Sequence, residues 1–287
     1  MAVGQAAAQV VVDPVEELDF NRTESWAQKY FTSVSMMTGF GAPRPVARWS
    51  VDVELEGGWV PSLSERERTV GFDGTKTEDL NKSDVFGRLA VTVGFPGRLS
   101  VTLGYTPPIG VGGAEPSLFG FAIGLPVYAS QRVRLGARLH GQTGIIEGDF
   151  TCTEEQAAAG DDPVVNPFGC EAPSEDEFSP HYAGLELSSS FPLRDGRIEP
   201  WVSGSANYLD TEFQVNSRYS GIEDRTTLKT EGWTGYLTAG SDFVLSERWR
   251  LAAELFYARL AVERPPEREE SHEDLLNVRV LLRWKVR

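Results

Sequence analysis

Residues 49–59 read Trp-Ser-Val-Asp-Val-Glu-Leu-Glu-Gly-Gly-Trp, and this stretch decides the fold. Two sets of side chains alternate along it: Asp52, Glu54 and Glu56, and Val51, Val53, Leu55 and Trp59. Successive side chains of a β-strand point to opposite faces of its sheet. A period of two with charges on one side therefore predicts a strand that separates two different environments.

The same alternation recurs in residues 276–284 and in eight segments between the two. These segments are 85–95, 99–105, 119–127, 133–143, 181–191, 198–208, 233–243 and 249–257. Long connections separate some of the strands, at 61–84, 144–180, 210–232 and 260–274, and short ones separate the others. Membrane barrels have an even strand number, short periplasmic turns and long external loops. Residues 46–287 are therefore predicted to form a transmembrane antiparallel up-and-down β-barrel of about ten strands, an all-β fold with a short N-terminal helical segment.

Aromatic residues supply an independent argument, because rings with one polar end collect at membrane interfaces. They recur at both ends of the predicted strands, and from Trp49 to Trp59 a tilted strand covers about 25 Å, the height of the apolar band of an outer-membrane barrel. From Trp49 onward the chain resembles the bacterial outer-membrane β-barrel class. The resemblance implies export with a signal peptide, a location in the outer membrane, contact with its lipid bilayer and insertion by the barrel assembly machinery.

The N-terminal region is harder to assign. Residues 1–8 end in three alanines, the form of a signal-peptidase site, and are predicted to be a signal-peptide remnant. Residues 9–45 are predicted to be a periplasmic segment with an amphipathic helix over 21–39, whose start Asn21 would cap with Glu24. The helix has three alternative places: on the membrane surface, across the lower mouth of the barrel, or inside it as a plug.

Composition excludes two classes of protein. The mean hydropathy is −0.27, and no run of 18 apolar residues occurs, which excludes a helical membrane protein. The net charge is −15, and no basic stripe is present to meet phosphates, which argues against a nucleic-acid partner.

The longest predicted loop is acidic and contains both cysteines of the chain, Cys152 and Cys170. Two thiols in one exposed loop of an exported protein predict a disulfide. The acidity is typical of a solvated loop; the alternative is a divalent-cation site, for which hard carboxylate oxygens would suit calcium. Its candidate ligands are Asp161, Asp162, Glu175, Asp176 and Glu177. No EF-hand spacing supports it, so no cofactor is predicted beyond this alternative.

Charged residues at inward positions nearly balance, which predicts cross-strand ion pairs and a narrow or gated path rather than a wide pore. The predicted lumen network comprises Asp52, Glu54, Glu56, Arg88, Arg134, Arg138, Glu186, Arg250, Glu254, Arg279, Arg283 and Lys285.

Three functions are compatible with these features. The leading hypothesis is a channel, transporter or binding protein for a small solute, and the second is a structural or adhesive surface barrel that acts through its acidic loop. The third is an outer-membrane hydrolase in which His140 acts as a base beside Glu186 and Ser188. Ten strands is also the number found in omptin-type proteases, but no Asp-x-His sequence occurs here, so an enzyme is the less favoured reading.

Overall fold

Ten antiparallel strands form a closed barrel in the computed structural model, which describes residues 10–44, 47–110 and 112–286. The strands are β1 Val51–Trp59, β2 Val85–Gly94, β3 Ser100–Thr106, β4 Ala114–Ala129, β5 Arg134–Gly148, β6 Asp176–Ser190, β7 Ile198–Gln214, β8 Thr227–Val244, β9 Trp249–Glu263 and β10 Glu270–Lys285. Each strand pairs with the next, and β10 pairs with β1 from Arg279 opposite Gly58 to Lys285 opposite Asp52. The predicted fold class is confirmed.

The connections sort by length between the two ends of the barrel, which we call the short-turn end and the long-loop end. The short turns are 95–99, 130–133, 191–197 and 245–248, and the remaining connections lie at the other end. Residues 60–84 contain the short helices Glu65–Arg68 and Gly71–Gly74 and the paired strands Thr69–Val70 and Lys76–Thr77.

Several strands are longer than predicted at the long-loop end. The connections there are 149–175, 215–226 and 264–269, whereas the sequence pattern predicted loops at 144–180, 210–232 and 260–274. The sequence pattern predicts strand ends near the level of the aromatic girdle, as at Tyr208, Trp233 and Tyr257. Antiparallel pairing needs only a partner strand, so the ladder continues past the membrane interface.

The apolar face of the sheet points outward. Val278 and Val280 are exposed on the outer surface of β10, whereas Asn277 and Arg279 between them are fully buried. Aromatic pairs lie at both ends of this surface, such as Trp249 with Trp284 at the short-turn end and Tyr208 with Trp233 at the long-loop end. An apolar band between two aromatic girdles is the surface of a transmembrane barrel.

The longest helix, α1, spans Thr23–Ser35. Within the described ranges, no helix is long and apolar enough to cross a membrane.

Candidate functional site: a lumen closed by the N-terminal segment

Helix α1 lies inside the barrel. Twelve of its thirteen residues are buried, including Lys29, Thr32 and Ser33 on its polar side. The helix begins after Arg22 without a side-chain cap and ends at Ser35, so the predicted cap at Asn21 and the predicted end at residue 39 are wrong. Its polar residues are buried because the surrounding wall supplies partners: the Lys29 ammonium donates to the carbonyls of Phe20 and Ala261, each at 2.6 Å.

The segment enters the lumen from the long-loop end. Val10–Val12 runs parallel to Ile222–Asp224, and Val15–Glu17 runs parallel to the start of β8. The chain then turns inward at Leu18, whose amide donates to the Lys229 carbonyl at 2.8 Å. Residues 10–35 therefore lie at the long-loop end and in the lumen, whereas the sequence prediction started the segment at the opposite, short-turn end; strand edges left open at the long-loop end pair with it. Of the three alternatives for the helix, the structure has the plug. The predicted signal-peptide remnant lies outside the described residues.

Two arginines of the wall hold the C-terminal end of α1. Arg279 donates to the carbonyls of Met36 at 2.5 Å, Ser33 at 3.0 Å and Val34 at 3.1 Å. Arg88 donates to the Ser35 carbonyl. The last carbonyls of a helix have no partner within the helix, and cations are favourable there. The wall thus completes the helix end.

Residues 36–44 continue as an irregular chain toward the short-turn end. The Thr38 hydroxyl donates to Glu254 at 2.7 Å, and the Gly39 amide donates to Glu186 at 3.1 Å. Arg44 then pairs with Glu199 at 3.3 Å and with Asp242 at 3.0 Å. These contacts are hydrogen bonds and ion pairs with the wall. We call residues 10–44 the plug segment.

Two inward glycines of the wall make room for the plug segment. A Cβ at Gly120 would lie 2.3 Å from the Met37 sulfur, and one at Gly136 would lie 2.4 Å from the Pro43 Cδ. A larger residue at either position would have to displace the Met37 side chain or the Pro43 ring, because Cβ atoms do not approach other heavy atoms so closely.

The inward charges pair across the lumen. The ion pairs are Arg88 with Glu56 (3.1 Å), Arg279 with Glu56 (3.8 Å), Arg283 with Glu54 (2.7 Å), Arg138 with Glu186 (4.0 Å), Arg134 with Glu199 (2.6 Å) and Arg250 with Asp242 (2.6 Å). In the described part of the chain, Asp52, Glu254 and Lys285 take part in no ion pair. Two of these cross-strand pairs, Arg283 with Glu54 and Arg279 with Glu56, join β10 to β1 where the barrel closes.

The plug segment separates two cavities. The lower cavity, at the short-turn end, has a volume of about 350 Å³ and is lined by charged residues including Arg44, Asp52 and Lys285. The upper cavity, at the long-loop end, has a volume of about 250 Å³ and lies above α1, with Ala27, Gln28 and other residues of the segment in its lining.

His140 does not meet the residues predicted to join it in a hydrolase. It is fully buried, with Nε2 3.1 Å from the Ser205 hydroxyl. Glu186 instead accepts from the Tyr236 hydroxyl at 2.7 Å, and the Ser188 hydroxyl lies against the Gly136 carbonyl. The base, the orienting carboxylate and the hydroxyl are thus not assembled.

The acidic residues of the long loop are dispersed. Asp161 and Asp162 are exposed, whereas Asp176 is fully buried and accepts from the amides of Thr151 at 2.7 Å and Asn216 at 2.9 Å. Across the residues that the structure describes, no group of three His, Cys, Asp or Glu side chains has the arrangement of a metal site. The five calcium candidates are accordingly not brought together.

Cys152 and Cys170 form the predicted disulfide and are both buried. Replacing both with serine should loosen residues 149–175, since cross-linking a loop of this length contributes about 3 kcal/mol in the chain-entropy model. The barrel should stay folded, because all ten strands pair without this loop. Limited proteolysis should show faster cleavage within 149–175, while the heat-dependent gel migration typical of a folded barrel is unchanged. Loss of that migration would contradict this assignment.

Sequence reasoning missed several residues of the site. Glu199 lies at an inward position of β7, so the alternation of that strand could have identified it. Arg44, its partner, lies in the segment that the sequence assigned to the periplasm. The phenylalanines around the upper cavity come from five separate segments and carry no common pattern.

Comparison with solved structures gives similarity at the level of architecture. An outer-membrane channel of Pseudomonas putida F1 is similar, with 6% identity, a TM-score of 0.46 and coverage of 88% of this chain and 100% of that one. The outer-membrane protease OmpT of Escherichia coli matches with 8% identity, a TM-score of 0.39 and coverage of 83% and 94%. No family model and no curated protein matches the chain. The closed ten-stranded sheet, its apolar outer band and its two girdles give this chain the fold of an outer-membrane β-barrel.

Proposed function

We propose that this protein is a gated outer-membrane barrel that admits a small solute when its plug segment moves. The observation that carries the proposal is that the plug segment fills the lumen between two cavities, one at each end. The path is closed at rest, and displacement of α1 together with residues 36–44 would join the lower cavity to the upper one.

The contacts that hold the plug segment suit a reversible closure. Below α1 they include hydrogen bonds and ion pairs to Glu254, Glu186, Ser190, Glu199 and Asp242, beside one apolar contact in which Phe40 packs against Trp201. Water and a polar solute can replace such partners one by one as the segment leaves. A hydrogen-bonded lining also remains hydrated after the segment has moved, which a conducting path requires.

Single-channel recording tests the proposal. The full chain in a planar bilayer should be almost silent, and a variant lacking residues 10–44 should conduct steadily. Because that deletion removes much of the buried interior, its folding is checked by heat-dependent gel migration. Equal currents from both proteins would show that the segment does not close the barrel, and silence from a folded deletion variant would contradict a path.

A point variant gives a second test of the gated path by single-channel recording. Arg44→Glu places a carboxylate beside Glu199 and Asp242, and like charges at this distance repel. The variant should open more often than the full chain. Arg48→Glu is the matched control. Arg48 is exposed and takes part in no ion pair among the described residues. This variant should leave the currents unchanged.

A further inference from the structure

Five phenylalanine side chains line the upper cavity, together with aliphatic residues and several charged ones. Phe31 of α1, Phe72 of the 60–84 connection, Phe150, Phe178 and Phe213 all face it. Phe31 packs against Phe150 with ring centroids 5.7 Å apart and against Phe178 at 6.0 Å, and Phe150 packs against Phe213 at 6.0 Å. Such distances are typical of favourable aromatic pairs. The rings therefore hold one another in place around the space.

Two of these phenylalanines also pack against the barrel wall. Phe150 and Phe178 are buried in a cluster with Leu118 and Ile146 of the barrel wall. Rings fixed in this way keep the cavity open without a ligand, and a preformed apolar cavity binds small molecules at little cost in ordering.

The mouth of the cavity carries backbone strain. Phe72 and Asp73 both have positive φ angles, 48° and 57°, a conformation that costs non-glycine residues energy. Neighbours enforce it: the Asp73 amide donates to Glu24 at 2.6 Å, and the Phe72 ring packs against Phe168 at 5.7 Å. The strain presents a ring that is 46% exposed at the opening. Residues in such conformations cluster at ligand clamps.

The charged groups of the lining have partners, either within the lining or next to it: Asp224, for example, accepts from the hydroxyls of Tyr219 at 2.6 Å and Thr226 at 2.5 Å. Arg22 pairs with Glu16 at 2.5 Å and with Glu24 at 3.0 Å, and Lys76 pairs with Glu78 at 2.6 Å. Burial raises the pKa of Glu78 to about 7 although Lys76 favours its charged form. Within the described lining, no cation is left to receive an anion, and carboxylates outnumber the one guanidinium. Anionic solutes are therefore disfavoured.

The volume of the upper cavity limits the size of the ligand. An apolar cavity of about 150 Å³ is large enough to hold benzene, and this one measures about 250 Å³. A single aromatic ring with a short substituent, or a compact fused pair of rings, would fill it. A peptide or a long acyl chain would not.

We propose that the upper cavity binds a neutral, compact aromatic molecule between Phe31, Phe72 and Phe213. Binding itself does not depend on the proposed gating, but the role of this molecule as the transported solute rests on the proposed function.

Ligand binding to the full chain in lipid nanodiscs tests the proposal. The probes are benzyl alcohol, benzoate and cyclohexanol, which differ in charge or aromaticity at similar size, and isothermal titration calorimetry gives their affinities. Benzyl alcohol should bind saturably, cyclohexanol more weakly and benzoate least. Equal affinities for benzoate and benzyl alcohol, or heat that never saturates, would overturn the proposal.

Point variants distinguish binding in the upper cavity from partitioning of the probe into the lipid. Val215 lines the cavity, so Val215→Trp should fill it and weaken benzyl alcohol binding by about tenfold or more. Leu193→Trp adds the same ring at an exposed position at the short-turn end and should have no effect. Phe213→Leu keeps an apolar side chain and should weaken binding by about threefold, the size of one aromatic contact. If Val215→Trp folds and binds like the full chain, the site is elsewhere.

The two proposals fail separately. Saturable binding that Val215→Trp abolishes, together with silence of the folded deletion variant, would leave the binding site standing and remove the gated path. Currents from the variant lacking residues 10–44, together with no saturable binding to the full chain, would support the gated path and remove the binding site.

Discussion

Replacing Arg279 with alanine should destabilise the protein more than any other single change to the lumen. Its guanidinium is fully buried, donates to three carbonyls at the end of α1 and lies 4.1 Å from the centre of the Phe256 ring. The variant would remove the guanidinium donor of the Met36 and Val34 carbonyls and weaken the pairing of Glu56, whereas the Ser33 carbonyl keeps the Met36 amide at 3.3 Å. Removing one partner of a buried charged contact costs about 3–5 kcal/mol. We expect the midpoint of urea unfolding in lipid vesicles to fall accordingly.

Arg134→Ala is the matched control. Arg134 is also an inward arginine paired with a carboxylate, but among the described residues it makes no hydrogen bond or ion pair with the plug segment, and its partner Glu199 keeps Arg44 and Arg250. Its side chain is about one quarter exposed, so its loss should cost about 1 kcal/mol or less. If the two variants unfold at the same urea concentration, Arg279 does not anchor the helix.

A charge at the middle of the outer face should impair insertion. Val280 is exposed on β10, halfway between Leu276 at the long-loop girdle and Trp284 at the other girdle. A lipid-facing arginine near the midplane costs about 2–4 kcal/mol, whereas one near the interface costs about 0–1 kcal/mol. Val280→Arg should therefore fold slowly or incompletely into vesicles, as measured by heat-dependent gel migration over time.

Leu276→Arg makes the same substitution on the same strand and face, but at the interface. It should insert almost as well as the unmodified protein, because its guanidinium reaches the polar headgroups. Equal insertion of both variants would mean that this face of β10 does not contact lipid.

The barrel itself could be derived from the order of residues, because its physical cause is local. A strand such as 49–59 separates lipid from a polar interior, so every second side chain must be apolar, and this rule holds whatever the rest of the chain does. The inward phase of Glu54, Glu56 and Arg279 follows from the same rule. The disulfide followed from having two cysteines in one exported loop.

The position of the plug segment could not be derived in this way. Helix α1 has the mixed surface of a helix that lies at an interface, and its sequence does not reveal that Lys29 meets the Ala261 carbonyl or that Arg279 completes its end. Those partners are more than 200 residues away. The helix is stable in the lumen only because the closed wall satisfies its polar groups, which no local pattern encodes.

The upper cavity likewise arises from folding. Its phenylalanines have no common spacing in the sequence, and none of them alone indicates a cavity. They are Phe31, Phe72, Phe150, Phe178 and Phe213. The alternation of side chains is a property of each strand, so the fold, the lipid-facing surface and the charged lumen were readable from the chain. The plug and the aromatic cavity depend on contacts between distant segments, which exist only after the sheet has closed.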